Sequence, residues 1–160
     1  SPARTVLKVN RCLSADLNPG MFVTMVYFVL DLETHEGRLV RCGHNAPYLY
    51  QAQARKLLPV KPGGIAFGLD RRDTLFCAEL EVQRIPMRAR DFLVMYSDGI
   101  VEGKNSKGAD FGDERLAGIL AANAHCTARE LIEIVMKDLT KHQRGEPQSD
   151  DITLLVIKKG

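Results

Sequence analysis

The sequence predicts an α+β fold on three observations. Residues 21–30 form an apolar, strand-forming run; two more apolar strands, at 91–96 and 152–157, are each bordered by aspartates; and an amphipathic helix with its own capping signature lies between those two. Residues 1–17 carry Val6, Leu7, Val9 and Leu13 among basic and polar residues, which fits a short amphipathic helix, and Asn18-Pro19-Gly20 stops it. Residues 21–30 are apolar on both alternating faces and rich in β-branched and aromatic side chains, so they read as a central strand covered on both sides. Glu36-Gly37 reads as a turn, with 38–42 as the second arm of a hairpin and Tyr48-Leu49-Tyr50 as a third strand. The prolines and glycines of 59–70 predict a loop, and 74–82 a further strand before the one at 91–96. From Gly112 the period changes to that of a helix, with Leu116, Ile119 and Leu120 on one face. Thr127 and Glu130 are spaced as a capping box, opening a second helix with Leu131, Ile134, Val135 and Leu139 on its apolar stripe. Residues 142–148 form a polar loop before the closing strand. No repeat or linker interrupts the chain, so one domain over 1–160 is expected.

Composition narrows the function. A net charge of +2 provides no broad basic field, which argues against nucleic acid as a partner. The longest apolar run is about half of the ~20 residues that span a bilayer, and no signal pattern opens the chain, so a soluble cytoplasmic protein without a membrane partner is expected. Cys12, Cys42, Cys77 and Cys126 are scattered, with no zinc or redox spacing, and read as free thiols in a reducing compartment.

Asp98 directly follows one apolar strand, and Asp150-Asp151 directly precede another. If those strands pair antiparallel, the carboxylates meet at one edge of the sheet. Clustered carboxylates repel unless a cation neutralises them, and hard oxygen donors suit Mg²⁺ or Mn²⁺. The alternative is structural: Asp-Gly is a common turn dipeptide, and Ser-Asp-Asp can be a solvated lead-in to a strand.

In order, Cys42-Gly43-His44-Asn45-Ala46-Pro47, Gly64-Ile65-Ala66-Phe67-Gly68-Leu69, Tyr96-Ser97-Asp98-Gly99-Ile100-Val101-Glu102, Phe111-Gly112-Asp113-Glu114-Arg115-Leu116 and Ser149-Asp150-Asp151-Ile152-Thr153 resemble the SpoIIE/RsbU branch of the metal-dependent (PPM, phosphatase 2C-like) protein phosphatases. The resemblance implies two packed, mainly antiparallel β-sheets flanked by helices, with a binuclear Mn²⁺ or Mg²⁺ centre at one edge. It implies Asp98 and Asp150 as metal ligands, and Asn45, Gly99 and Asp151 as residues that support the ligands or the substrate. In such a centre the metal lowers the pKa of a bound water, which attacks a phosphoserine or phosphothreonine. His44 is then the candidate general acid to the leaving oxygen, the alternative being a histidine that hydrogen-bonds the loop shaping the site.

The implied substrate is a phosphorylated anti-sigma-factor antagonist in a bacterial switch. The family's N-terminal Gly-Gly-Asp strand has no counterpart before Asn18, so the expectation is an N-terminally truncated fragment of a longer multidomain protein, short of one metal ligand. The uncovered sheet edge would invite a homodimer or strand exchange. The competing functions are a non-catalytic phosphatase-like module that grips a regulatory partner, and a hydrolase of small phosphate esters.

Overall fold

The structure, a computed structural model, describes residues 1–160. Its contacts gather into two units, Ser1–His44 with Lys61–Met87 and Asn45–Val60 with Arg88–Gly160, each built round one antiparallel sheet. Two antiparallel sheets with flanking helices are the architecture expected from the sequence.

The first unit holds α1 (Pro2–Asp16), β1 (Met25–Leu30), β2 (Glu36–Cys42), α2 (Thr74–Glu79) and β5 (Gln83–Pro86). Its sheet has the order β1-β2-β5. Along α1, Val6, Asn10 and Ser14 recur every four residues and are buried. Val6 joins Val40, Cys42, Phe67 and Phe76 in a core whose burial stabilises by about 1.5–3 kcal/mol per large side chain. Asn10 fastens the helix to the loop before α2. Its amide donates to Asp73 Oδ1 (2.7 Å) and to the Asp70 carbonyl (3.2 Å), and its Oδ1 accepts from Gly68 N (3.3 Å).

The second unit holds β3 (Tyr48–Gln51), β4 (Lys56–Pro59), β6 (Phe92–Tyr96), α3 (Asp98–Val101), α4 (Asp113–Ala122), α5 (Ala128–Gln143) and β7 (Leu154–Lys158). Its sheet has the order β4-β3-β6-β7. The helices cover it with Leu116, Leu120, Leu131, Val135 and Leu139, all fully buried with Phe92 and Val94. The Thr127 capping box is formed: Thr127 Oγ1 accepts from Glu130 N at 3.2 Å, and Glu130 Oε2 accepts from Thr127 N at 2.7 Å. A cap of this kind is worth about 1 kcal/mol to the helix.

Four readings of the sequence need correction. The run at 21–30 is not a central strand: β1 is an edge strand with no fully buried residue, its apolar character notwithstanding. The turn of the first hairpin is at 31–35, where Asp31 Oδ1 accepts from the amides of Glu33 and Thr34 (both 2.9 Å). Gly37 sits within β2 opposite Leu30, where a Cβ would overlap the Phe28 ring and lie 2.9 Å from the Ile85 carbonyl. Residues 74–79 are helical, because the Asp70 carboxylate accepts from the amides of Leu75 (2.6 Å) and Phe76 (3.0 Å) and so satisfies donors of the first turn. The strand that follows is β5, and β4 also carries no pattern strong enough to be expected. Finally, His142, which lies in no motif and reads from the sequence as a surface residue, is half-buried and bonded to the Ala109 carbonyl.

Candidate active site

β6 and β7 pair antiparallel in the register Tyr96↔Leu154, so the chain leaving β6 and the chain entering β7 lie at the same end of the sheet. Ser97 joins them. Its amide donates to the Thr153 carbonyl (3.0 Å), its hydroxyl donates to the Asp151 carbonyl (2.9 Å), and that hydroxyl accepts from Thr153 N (2.8 Å). Asp98 then opens the short helix α3, while Gly99 and Ile100 turn inward and are buried.

Gly99 fits here because it lacks a side chain. A Cβ at this position would overlap the Asp151 carbonyl oxygen and stand 3.1 Å from that of Asp150. The backbone of 98–99 therefore rests directly on that of 150–151, and the structure brings Asp98, Gly99, Asp150 and Asp151 together, with the three aspartates exposed. One oxygen of each leading carboxylate is engaged locally: Asp98 Oδ1 accepts from Gly99 N (3.1 Å) and Asp150 Oδ1 from Asp151 N (2.7 Å). Gln148 Nε2 donates to the Asp150 carbonyl at 2.7 Å and steadies the loop. Each carboxylate keeps its second oxygen without a protein donor.

Two such aspartates are hard oxygen donors of the type that hold Mg²⁺ or Mn²⁺ while leaving most of the coordination to water. The donor chemistry fits such a cation at Asp98 and Asp150, although no set of three or more Asp, Glu, His or Cys side chains in the chain is arranged to hold one.

His44 is placed in the first unit, where its Nδ1 lies 3.0 Å from Thr24 Oγ1 and its carbonyl accepts from Arg41 Nη1 at 3.1 Å. These bonds match the loop-shaping alternative for this histidine. Gly43, at φ +65°, makes the bend, and its Cα packs so closely on Ala66 that a Cβ would collide with it. Asn45 is partly buried, and its Nδ2 is the one buried side-chain nitrogen or oxygen with no hydrogen-bond partner. A donor left in that state costs about 1–3 kcal/mol in desolvation.

Two further residues shape this end of the second unit and were not anticipated as site residues. Ser97 is the stitch described above; a hydroxyl just before Asp-Gly at a strand end was its only trace in the sequence. Tyr96 donates to Asp113 Oδ1 at 2.6 Å, a bond between residues that no local pattern connects.

The family model described as Stage II sporulation protein E (SpoIIE) matches residues 1–160. The chain is 20% identical over 158 residues to the phosphoserine phosphatase RsbU of Bacillus subtilis, covering 99% of the chain and 45% of RsbU. Across the curated relatives it matches, it spans between 17% and 45% of their length. Among solved structures, the SiaA-PP2C domain of Pseudomonas aeruginosa superposes with a TM-score of 0.79 at 17% identity, over 97% of this chain and 59% of that one. The phosphatase domain of the Bacillus subtilis cell fate determinant SpoIIE, from a manganese-presoaked crystal, gives 0.68 at 18% identity, over 98% and 65%. At these identities the likeness is one of fold.

Proposed function

The chain belongs to the SpoIIE family, and from that membership we propose that it is the catalytic part of a metal-dependent protein serine/threonine phosphatase. The observation that carries the reading is the meeting of Asp98 and Asp150 at one sheet edge through the β6–β7 register and the Gly99 contact. Mn²⁺ or Mg²⁺ held there would polarise a phosphoryl oxygen and supply a nucleophile at neutral pH. The chain's own contribution is positional. Ser97 holds the two aspartate-bearing segments side by side, Gly99 permits their close approach, and Asp151 stands next to Asp150 with an exposed carboxylate able to orient substrate or solvent. Asn45, whose Nδ2 has no partner, would serve as a substrate-side donor, while the bond to Thr24 favours the loop-shaping role for His44 over that of general acid. The substrate class is a phosphoserine or phosphothreonine protein, with an anti-sigma-factor antagonist as the candidate that the family resemblance implies, and the setting is a cytoplasmic switch.

The test is Mn²⁺-dependent release of phosphate from a phosphoserine protein by the chain and by its Asp98→Asn and Asp150→Asn variants. Each substitution should abolish turnover while the melting temperature stays within a few degrees. Equal rates in all three would sink the reading. A second reading, a phosphatase-like module that binds its partner without turnover, is favoured by the donor set of two carboxylates, smaller than a binuclear centre uses. No turnover by the chain, with partner binding intact, would select it.

A further inference from the structure

Away from the aspartates, the second unit carries a cavity of about 260 Å³ lined by Asn105, Ser106, Lys107, Arg115, Lys141, His142 and Arg144. No carboxylate lines it. Cations at the end of α5 are expected on their own account, since they complement the carbonyls of the last turn. That accounts for Lys141 and His142 but not for the cavity as a whole, because Lys107 comes from the loop after α3 and Arg115 from α4.

The floor is rigid. Arg115 donates to Asp138 Oδ2 (2.7 Å), its Nη1 lies 2.8 Å from His142 Nδ1, and its guanidinium sits 4.8 Å above the Phe111 ring. His142 Nε2 reaches the Ala109 carbonyl at 3.0 Å. A carbonyl can only accept, so the imidazole donates from Nε2 and offers Nδ1 to the guanidinium, tying α4, α5 and the loop into one piece.

The rim is charged and preformed. Asn105 Oδ1 accepts from the amides of Lys107 (2.9 Å) and Ala109 (3.0 Å), and Gly108 N closes the turn onto the Asn105 carbonyl (2.8 Å). Lys107 is thus presented on a fixed turn. Arg144 caps α5 in the left-handed region (φ 48°), a position that glycine or asparagine takes with less strain, yet an arginine occupies it. The molecule's ion pairs involve none of Lys107, Lys141 and Arg144, so only Arg115 of the four permanent cations is neutralised.

We propose that this pocket binds a phosphate-class oxyanion, small and multiply charged, between Lys107, Lys141 and Arg144, as a site separate from the aspartates. Converging, unpaired cations with a hydroxyl (Ser106) and an amide (Asn105) at the wall are the donor set that such an anion takes. The anion is either free phosphate or a phosphoryl group displayed by a protein.

The experiment is a titration of the ¹⁵N-labelled chain with inorganic phosphate in EDTA at constant ionic strength, which keeps it independent of hydrolysis. Saturable amide shifts are expected at 105–109, 115 and 141–144. In the triple variant Lys107→Gln, Lys141→Gln, Arg144→Gln, the affinity should fall about tenfold or more. Absence of saturable shifts, or the same affinity in the triple variant with its melting temperature unchanged, overturns the proposal. If the triple variant does not fold, Lys107→Gln alone, on an exposed turn, must still weaken binding. A phosphoserine peptide in the second arm identifies the source: tighter, cation-dependent binding than inorganic phosphate means a protein-borne phosphoryl group, and equal affinity means the free ion.

Discussion

Tyr96 at the end of β6 donates its phenol to the carboxylate of Asp113, the first residue of α4, at 2.6 Å. The bond links a strand of the central pair to a helix, just before the chain reaches Asp98. Burial first, and this hydrogen bond second, push the Tyr96 phenol above its ordinary value, so it remains a donor throughout the physiological range. Its ring stacks on Tyr48 at 5.8 Å, which holds it in place. Tyr96→Phe keeps the stack and loses the bond, and because Asp113 is exposed its carboxylate returns to water. The expected loss is about 1 kcal/mol in a urea titration. A variant as stable as the parent would show the bond to be idle.

Gly99→Ala tests the close approach under the aspartates. The added methyl has to displace the backbone of 150–151, which should destabilise by about 1–3 kcal/mol and reduce Mn²⁺-dependent turnover with Asp98 and Asp150 both intact. Ser97→Ala removes the hydroxyl bridge without a clash, costing about 1–2 kcal/mol. Turnover unaffected by Gly99→Ala would mean that the spacing of the two segments does not matter.

Acid should loosen the first unit, where the carboxylates of Asp70 and Asp73 hold α2 and α1 in place. The Phe76 amide, with those of Arg72 and Leu75, holds the Asp70 carboxyl below its ordinary 3.8, and Arg11 followed by Asn10 does the same for Asp73. Both pKa values are lower in the folded chain than in the unfolded one, so their contribution is complete above about pH 4 and disappears as pH falls through the depressed values. Asp73→Asn should therefore lower stability at pH 7 and flatten its decline between pH 4 and 2. Urea midpoints at those pH values decide it; parallel declines in parent and variant would refute the assignment.

Thiol chemistry should sort the cysteines by burial. Cys12 and Cys77 are exposed, Cys126 is half-buried, and burial pushes the Cys42 thiol up to about 11. At pH 8 an aromatic disulfide reagent should label Cys12 and Cys77 quickly and Cys42 only after denaturation. Prompt labelling of Cys42, read by peptide mass spectrometry, would contradict the buried strand position.

What could be read from the sequence was whatever is encoded over a few residues. The Thr127–Glu130 box is four residues long and announces α5; the apolar run at 92–96 announces β6, and the aspartates at the strand ends announced a shared edge that the antiparallel register supplies. The failures came where distant residues decide. Thr74–Glu79 looks like strand until the Asp70 carboxylate is seen to cap its amides, and residues 25–30 look central although nothing pairs with the far side of β1. Tyr96–Asp113 and the basic cavity are likewise invisible in a linear reading, since each assembles partners from separate elements.

The way the chain threads its two sheets sets a schedule for synthesis. β2 is completed at Cys42, but its second neighbour, β5, pairs Ile85 with Gly37, and by then the β3–β4 hairpin of the other sheet has already left the ribosome. That hairpin waits in turn for β6, which pairs Val94 with Tyr48. Each sheet is thus finished by a strand made after the other sheet has been started, so no nascent length yields one finished unit while the other is still to come in a single piece. Such non-local closures slow folding, and leave the β3–β4 hairpin without its β6 neighbour until residue 96 has been made.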